Sequence, residues 1–100
     1  MPAIEVRHND KASQFEVLRD GLLAVLQYDR TDHRLILLHT EVPEPLAGQG
    51  IGSALVRAAL AYAREAHMLV LPRCPVVQIY LHGHPVDIPL VDPAFTRRLA

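Results

Sequence analysis

An α+β fold follows from three features of this 100-residue chain. The first 42 residues read as strands separated by polar turns, an alanine-rich amphipathic stretch opens at Ile51, and a short apolar run, 68–72, follows it. Together they predict a mainly antiparallel sheet carrying two helices.

Taken in order, "AIEVRH" (3–8) is short and roughly alternating, as a fourth, N-terminal strand would be. "QFEVLR" (14–19) puts Phe15 and Val17 on one face and Glu16 and Leu18 on the other, and Asp20-Gly21 is a hairpin signal. "LLAVLQY" (22–28) is nearly all apolar, which predicts a central strand covered on both faces. After the polar turn 29–33, "RLILLHTEV" (34–42) is again a strand. Pro43 and Pro45 flank Glu44, end the strand ladder and hold the loop extended. From Ile51, the residues Leu55, Ala58, Ala59 and Tyr62 recur at helical spacing, Val56 and Leu60 widen the apolar arc, and Arg57 and Arg64 lie opposite. The strand 68–72 completes a strand-helix-strand crossover. A second helix, 75–84, has Pro75 at its first position and Cys74 at its N-cap. Three prolines in 85–100 predict an irregular tail over 86–100 of a single domain, 1–100.

Composition narrows the function classes. Half the residues are hydrophobic and 21% charged, as a packed core requires. A formal net charge of -1 gives no basic surface for nucleic acid or anionic membrane. No apolar run approaches the roughly 18–20 residues of a membrane span, and no signal pattern opens the chain. One cysteine excludes an internal disulfide and a thiolate zinc cage. A cytoplasmic protein is the expectation.

Gly48, Gly50 and Gly52 stand at alternate positions directly ahead of the first helix. A helix N-terminus carries unpaired amide donors and the positive end of the dipole, which favour an anion, and glycines let a ligand reach that backbone. The pattern is not a P-loop, since no Gly-Lys-Ser/Thr follows. It is not a dinucleotide fingerprint either, because Ser53 stands where a third glycine belongs. On the glycines alone, a tight strand-to-helix turn without a ligand remains an equal reading.

The longer run decides between them. "HTEVPEPLAGQGIGSALVRAALAYAREA", followed by "VLPRCPVVQIYLHGHP", resembles the small single-domain branch of the GNAT-like N-acetyltransferase superfamily. The superfamily motif Arg/Gln-x-x-Gly-x-Gly/Ala falls on Ala47, Gly48, Gln49, Gly50, Ile51 and Gly52, with Ala47 in place of Arg or Gln. The resemblance implies a minimal fold with a splayed strand pair that holds coenzyme A. The sheet would open after the strand ending near Val42. Thr40, Glu41 and Val42 would pair with the pantetheine arm, and the amides of residues 48–53, through Ser53, would take the pyrophosphate. The chemistry it implies is acetyl transfer from acetyl-CoA, bound as a substrate, to an amine.

Three side chains are candidates for that chemistry. Cys74 at a helix N-cap feels the dipole, which favours the nucleophilic thiolate; as a lone cysteine it is equally a small buried hydrophobe. His39 is a base for Cys74 or for an incoming amine, against a plain strand histidine. Tyr80 falls where larger relatives place a tyrosine that protonates the leaving thiolate, against an aromatic core residue. The sequence leans to a covalent relay through Cys74, and the alternative that the resemblance implies is direct attack of the amine on the thioester, with Cys74 dispensable. His82 and His84 have no third metal ligand, so no metal is expected, and His8, His33 and His67 read as surface or turn residues. Arg57 is near enough to the helix start to reach a phosphate, and "TRR" (96–98) is a charged tail. Larger relatives wall the acceptor cleft partly with helices between their first two long strands, where this chain has Asp20-Gly21 at most, so the resemblance implies an open acceptor cleft. That suits a protein or peptide amine. The alternatives are a non-catalytic acyl-CoA-binding module and a small protein-interaction domain with a structural glycine turn.

Overall fold

A computed structural model describes residues 3–95 of the chain. Among them, five strands form one sheet in the order β1-β2-β3-β4-β5. These are β1 (Arg7–Asn9), β2 (Gln14–Arg19), β3 (Leu22–Arg30), β4 (Arg34–Glu41) and β5 (Leu69–Pro72). The first four form an antiparallel meander. Asp20 (φ 54) and Gly21 (φ 74) are both left-handed, the two-residue turn whose twist matches the strands it joins. The N-terminal strand is shorter than its alternation suggests, because pairing covers only Arg7, His8 and Asn9.

Helix α1 (Ile51–Glu65) carries the chain from β4 to β5, which pair in parallel. Its Ile51, Leu55, Val56, Ala59, Leu60 and Ala63 pack on Phe15, Val17, Ala24, Leu26, Leu35 and Leu37, so the anticipated apolar arc is the buried one. Helix α2 (Pro75–Gly83) adds Val77, Tyr80 and Leu81 to the same core. The two helices meet at their N-terminal ends, where a Cβ at Gly52 would lie 3.9 Å from Val76 Cγ1.

Several expectations need correction. Ala24, Val25 and Leu26 of β3 are all buried, yet the sheet face away from the helices is not layered over: Leu18 and Leu23, cross-strand partners there, are 70% and 44% exposed. Val25 is covered locally, on the face where its cross-strand partner Glu16 is also buried. Glu16 accepts hydrogen bonds from Gln14, Asn9 and Arg7, which together hold its carboxyl down to about pKa 2. The proline loop is not extended throughout but closes a 3-10 turn at Glu44–Leu46, with Leu46 buried. The segment expected to be irregular forms a 3-10 helix at Pro85–Leu90, then bridges Val91 to Val70. There Asp92 accepts from Arg34 Nε at 2.7 Å, which holds its carboxyl below the usual range. The charged residues 96–98 lie outside the described residues. His8 is not a plain surface residue. Its ring stacks on Phe15 at 4.3 Å, and its Nε2 lies 2.7 Å from Tyr28 Oη. Burial, then Asp10, pushes the Tyr28 phenol up to about 12.

Candidate functional site

The sheet opens within β4, earlier than the sequence suggests. Pairing with β5 runs from Arg34↔Leu69 to Leu37↔Pro72 and stops. The Leu37 carbonyl then accepts from both Arg73 N and Cys74 N, each at 3.0 Å, which turns the chain out of β5 into α2. On the other side of β4, Gln27 pairs with His39 while Tyr28 pairs with Leu37, leaving Leu38 as an extra, bulged residue. No strand among the described residues pairs with the β5 side of β4 from Leu38 to Glu41. This open edge includes Thr40 and Glu41; Val42 follows it directly.

The glycine loop lies between this edge and α1. Gly48 (φ 80) and Gly50 (φ 81) are both left-handed, a conformation that side chains other than glycine adopt only at a cost. Gly50 is the N-cap of α1, and no side chain caps the helix. The first-turn amides of Ile51, Gly52 and Ser53 thus have no side-chain acceptor from the N-cap, as an anion-binding helix start requires. A Cβ at Gly48 would meet nothing within 4 Å, so the loop offers open space at that backbone. Ala47 is exposed and extended (φ -62, ψ 147). Gln49 accepts a hydrogen bond at 3.0 Å from Nη1 of Arg19, a residue the sequence did not connect with the loop.

The three candidate side chains are not gathered at one point. Cys74 is 1% exposed, is the N-cap of α2 without a side-chain cap bond, and sits with Sγ 3.2 Å from Thr40 Oγ1. Thr40 pairs with the core residue Leu26, so this contact is on the helix side of the sheet. His39 pairs with Gln27 and points the other way, 59% exposed, with Nε2 3.6 Å from Glu41 Oε2. Strand alternation therefore puts His39 and Cys74 on opposite sides of β4. Tyr80 is 8% exposed and joins Ser53, Val56, Val76 and Ile79 in a groove of about 180 Å³ between the helices. Its ring stacks on His84 at 3.9 Å, and His84 Nδ1 donates to its carbonyl at 2.8 Å. Among the described residues no three of His, Cys, Asp and Glu come together as metal ligands.

Other features had no legible signal. The bulge at Leu38 depends on register with β3, which no local pattern encodes. A cleft of about 500 Å³ beside the end of β5 is lined by Leu71, Arg73, Gln78, Asp92, Ala94 and Phe95, half of it from a segment read as irregular. Among the described residues no helix is long and apolar enough to cross a membrane.

Residues 14–88 match the family model described as GCN5-related N-acetyl-transferase, from β2 to the second 3-10 helix. This chain belongs to the GCN5-related N-acetyltransferase family. Among similar proteins, Protein NATD1 of Gallus gallus is 36% identical over 86 residues, 83% of this chain and 78% of that protein. The Mus musculus protein of the same name is 35% identical, covering 83% of this chain and 78% of its own length. For the Homo sapiens protein the figures are 35%, 83% and 76%. Family membership and the α+β sheet that opens at β4 agree with the resemblance read from residues 39–85.

Proposed function

We propose that this GCN5-related N-acetyltransferase takes acetyl-CoA as its acyl donor and transfers the acetyl group directly to an amine, on a protein or peptide. The observation that carries the reading is the open edge of β4 beside the uncapped, glycine-preceded start of α1. The amides of 48–53 receive the pyrophosphate, and Thr40, Glu41 and Val42 lie along the pantetheine arm. The backbone of the opened edge supplies donors for the oxyanion.

His39 takes the proton of the attacking amine, with Glu41 Oε2 3.6 Å from its Nε2. The amine nitrogen bonds to the thioester carbon, the C–S bond breaks, and Tyr80 returns a proton to the departing thiolate. The covalent relay through Cys74 that the sequence favours lacks a base. Its thiol is buried against Thr40, while His39 faces away. Cys74 is a packing and positioning group in this reading. The uncovered sheet face gives an acceptor free access but no enclosing wall, the one observation favouring a non-catalytic acyl-CoA-binding module. A cytoplasmic setting is part of the proposal, supported by the free Cys74 thiol and a sequence without a disulfide pair.

Thiol release from acetyl-CoA, followed with a lysine-containing peptide bearing a free α-amine, tests the reading. Release that needs the peptide, persists in Cys74→Ser and falls in His39→Ala supports direct transfer. Release without peptide, with an acetyl adduct on the chain that Cys74→Ser abolishes, restores the covalent route. Binding without release in any variant leaves the binding module.

A further inference from the structure

The glycine loop has no cation of its own. From His39 to Val56 the chain contains no lysine or arginine, Glu41 and Glu44 add negative charge, and Ala47 takes the motif position of Arg or Gln. Arg57 stands six residues beyond Ile51, about 9 Å up the helix. A doubly charged pyrophosphate would meet backbone dipoles there and two nearby carboxylates.

Another element brings the missing charge. Arg19 is the last residue of β2, set by the left-handed Asp20-Gly21 turn and paired with Leu22. Two residues beyond Val17, it leaves the sheet on the face that α1 covers. Its Nη1 reaches Gln49 Oε1 at 3.0 Å across 30 residues of sequence. We propose that Arg19 is a ligand-binding residue, its guanidinium contacting the coenzyme A diphosphate in place of the side chain missing at Ala47. This inference rests on the reading of the loop as the diphosphate cradle.

The charge of Arg19 is uncommitted. Arg7, Arg34 and Arg64 are each paired with a carboxylate, from Glu16, Asp92 and Asp87. No carboxylate among the described residues pairs with Arg19. A guanidinium has five N–H donors in a planar fork, and the Gln49 contact uses one of them. The rest of the fork remains for phosphate oxygens, which it binds bidentately. The contact with Gln49 holds a flexible side chain at the loop before a ligand arrives, which lowers the ordering cost of binding.

Coenzyme A and S-acetylpantetheine, which lacks the diphosphate together with the 3′-phosphoadenosine, separate contact with the phosphorylated end of the ligand from general support of the loop. With the full chain, Arg19→Gln is expected to weaken coenzyme A binding on the order of tenfold or more, the scale of a lost charge-assisted hydrogen bond. It should leave S-acetylpantetheine affinity unchanged and flatten the dependence of coenzyme A affinity on salt. Lys11→Gln, in the turn that precedes β2, should change neither. Arg19→Lys, which keeps the charge and loses the fork, should fall between parent and Arg19→Gln. Parent-level coenzyme A affinity in Arg19→Gln overturns the proposal and leaves the cradle standing. Equal losses for both ligands, or Arg19→Lys as weak as Arg19→Gln, make Arg19 a structural brace and also overturn it. If the parent binds S-acetylpantetheine but gains nothing from the diphosphate, the cradle reading itself fails.

Discussion

On the helix side of β4, Thr40 meets Cys74 at 3.2 Å, and the thiol is sealed from solvent. On the other side, one residue earlier, His39 is 59% exposed and 3.6 Å from Glu41. A strand sends successive side chains to opposite faces, so adjacent residues enter environments as different as a core and an exposed surface. The cysteine and the histidine that look like a pair in sequence are thereby divided. In the proposed reaction the base, His39, lies on the side that water reaches. On the packed side, the thiol fills space and meets a hydroxyl.

The sharpest way to break this contrast is to remove one group from each side. His39→Ala is expected to lower kcat by about 10²–10⁴, the range for a lost general base, while Cys74→Ser stays within a few-fold of the parent. Comparable losses from both would mean that the two sides act together.

Next comes the loop that both sides depend on. Gly50→Val places a branched side chain at φ 81 and should weaken coenzyme A binding by at least ~1.5–3 kcal/mol, measured by calorimetry on folded protein. Gly52→Ala sharpens the point. Its Cβ would make an ordinary 3.9 Å contact with Val76, and helix propensity alone predicts a stability gain of up to about 1 kcal/mol. If ligand uses that bare backbone, the melting temperature rises while coenzyme A affinity falls. A rise in both would mark the glycines as a turn and nothing more.

The smallest effect concerns the uncovered face itself. The Glu16 carboxyl is lowered from 4.5 to about 2 by Gln14 first, then Asn9 and Arg7. A depressed folded value gives stability that is present above about pH 4.5 and lost as pH falls towards 2. Glu16→Gln should therefore be less stable than the parent at neutral pH, by up to about 1 kcal/mol, since the buried carboxylate's charged partner, Arg7, is itself exposed. The difference should shrink in acid melts. A constant difference from pH 7 to pH 2 would remove the charged network as the cause.

Local signals were enough for much of the fold. Asp20-Gly21, the alternation of 14–19, the helical spacing from Ile51 and the Cys74-Pro75 start of α2 each depend on near neighbours, and each appears where the sequence suggests. The glycines likewise announced a special backbone at positions 48 and 50. What the sequence hid was set by partners far along the chain. The extra residue at Leu38 exists only relative to Gln27 and Tyr28, and it lies directly beyond Leu37, where pairing with β5 stops. The sides taken by His39 and Thr40 follow from the same register. Arg19 and Gln49 are 30 residues apart, and His8 gains its stacking partner only through β1–β2 pairing. Val91 and Asp92 are ordered by Val70 and Arg34, contacts that a proline-rich segment does not advertise.

A titration of the ¹⁵N-labelled chain with acetyl-CoA, followed amide by amide, tests the central claim most directly. The account predicts saturable shifts in two groups that move together, the loop and first helical turn from Gly48 to Ser53 and the opened edge from Leu38 to Val42. Amides of Leu18 and Leu23 on the uncovered face should stay still. Saturable shifts confined to other residues, or no shift at millimolar acetyl-CoA, would contradict it.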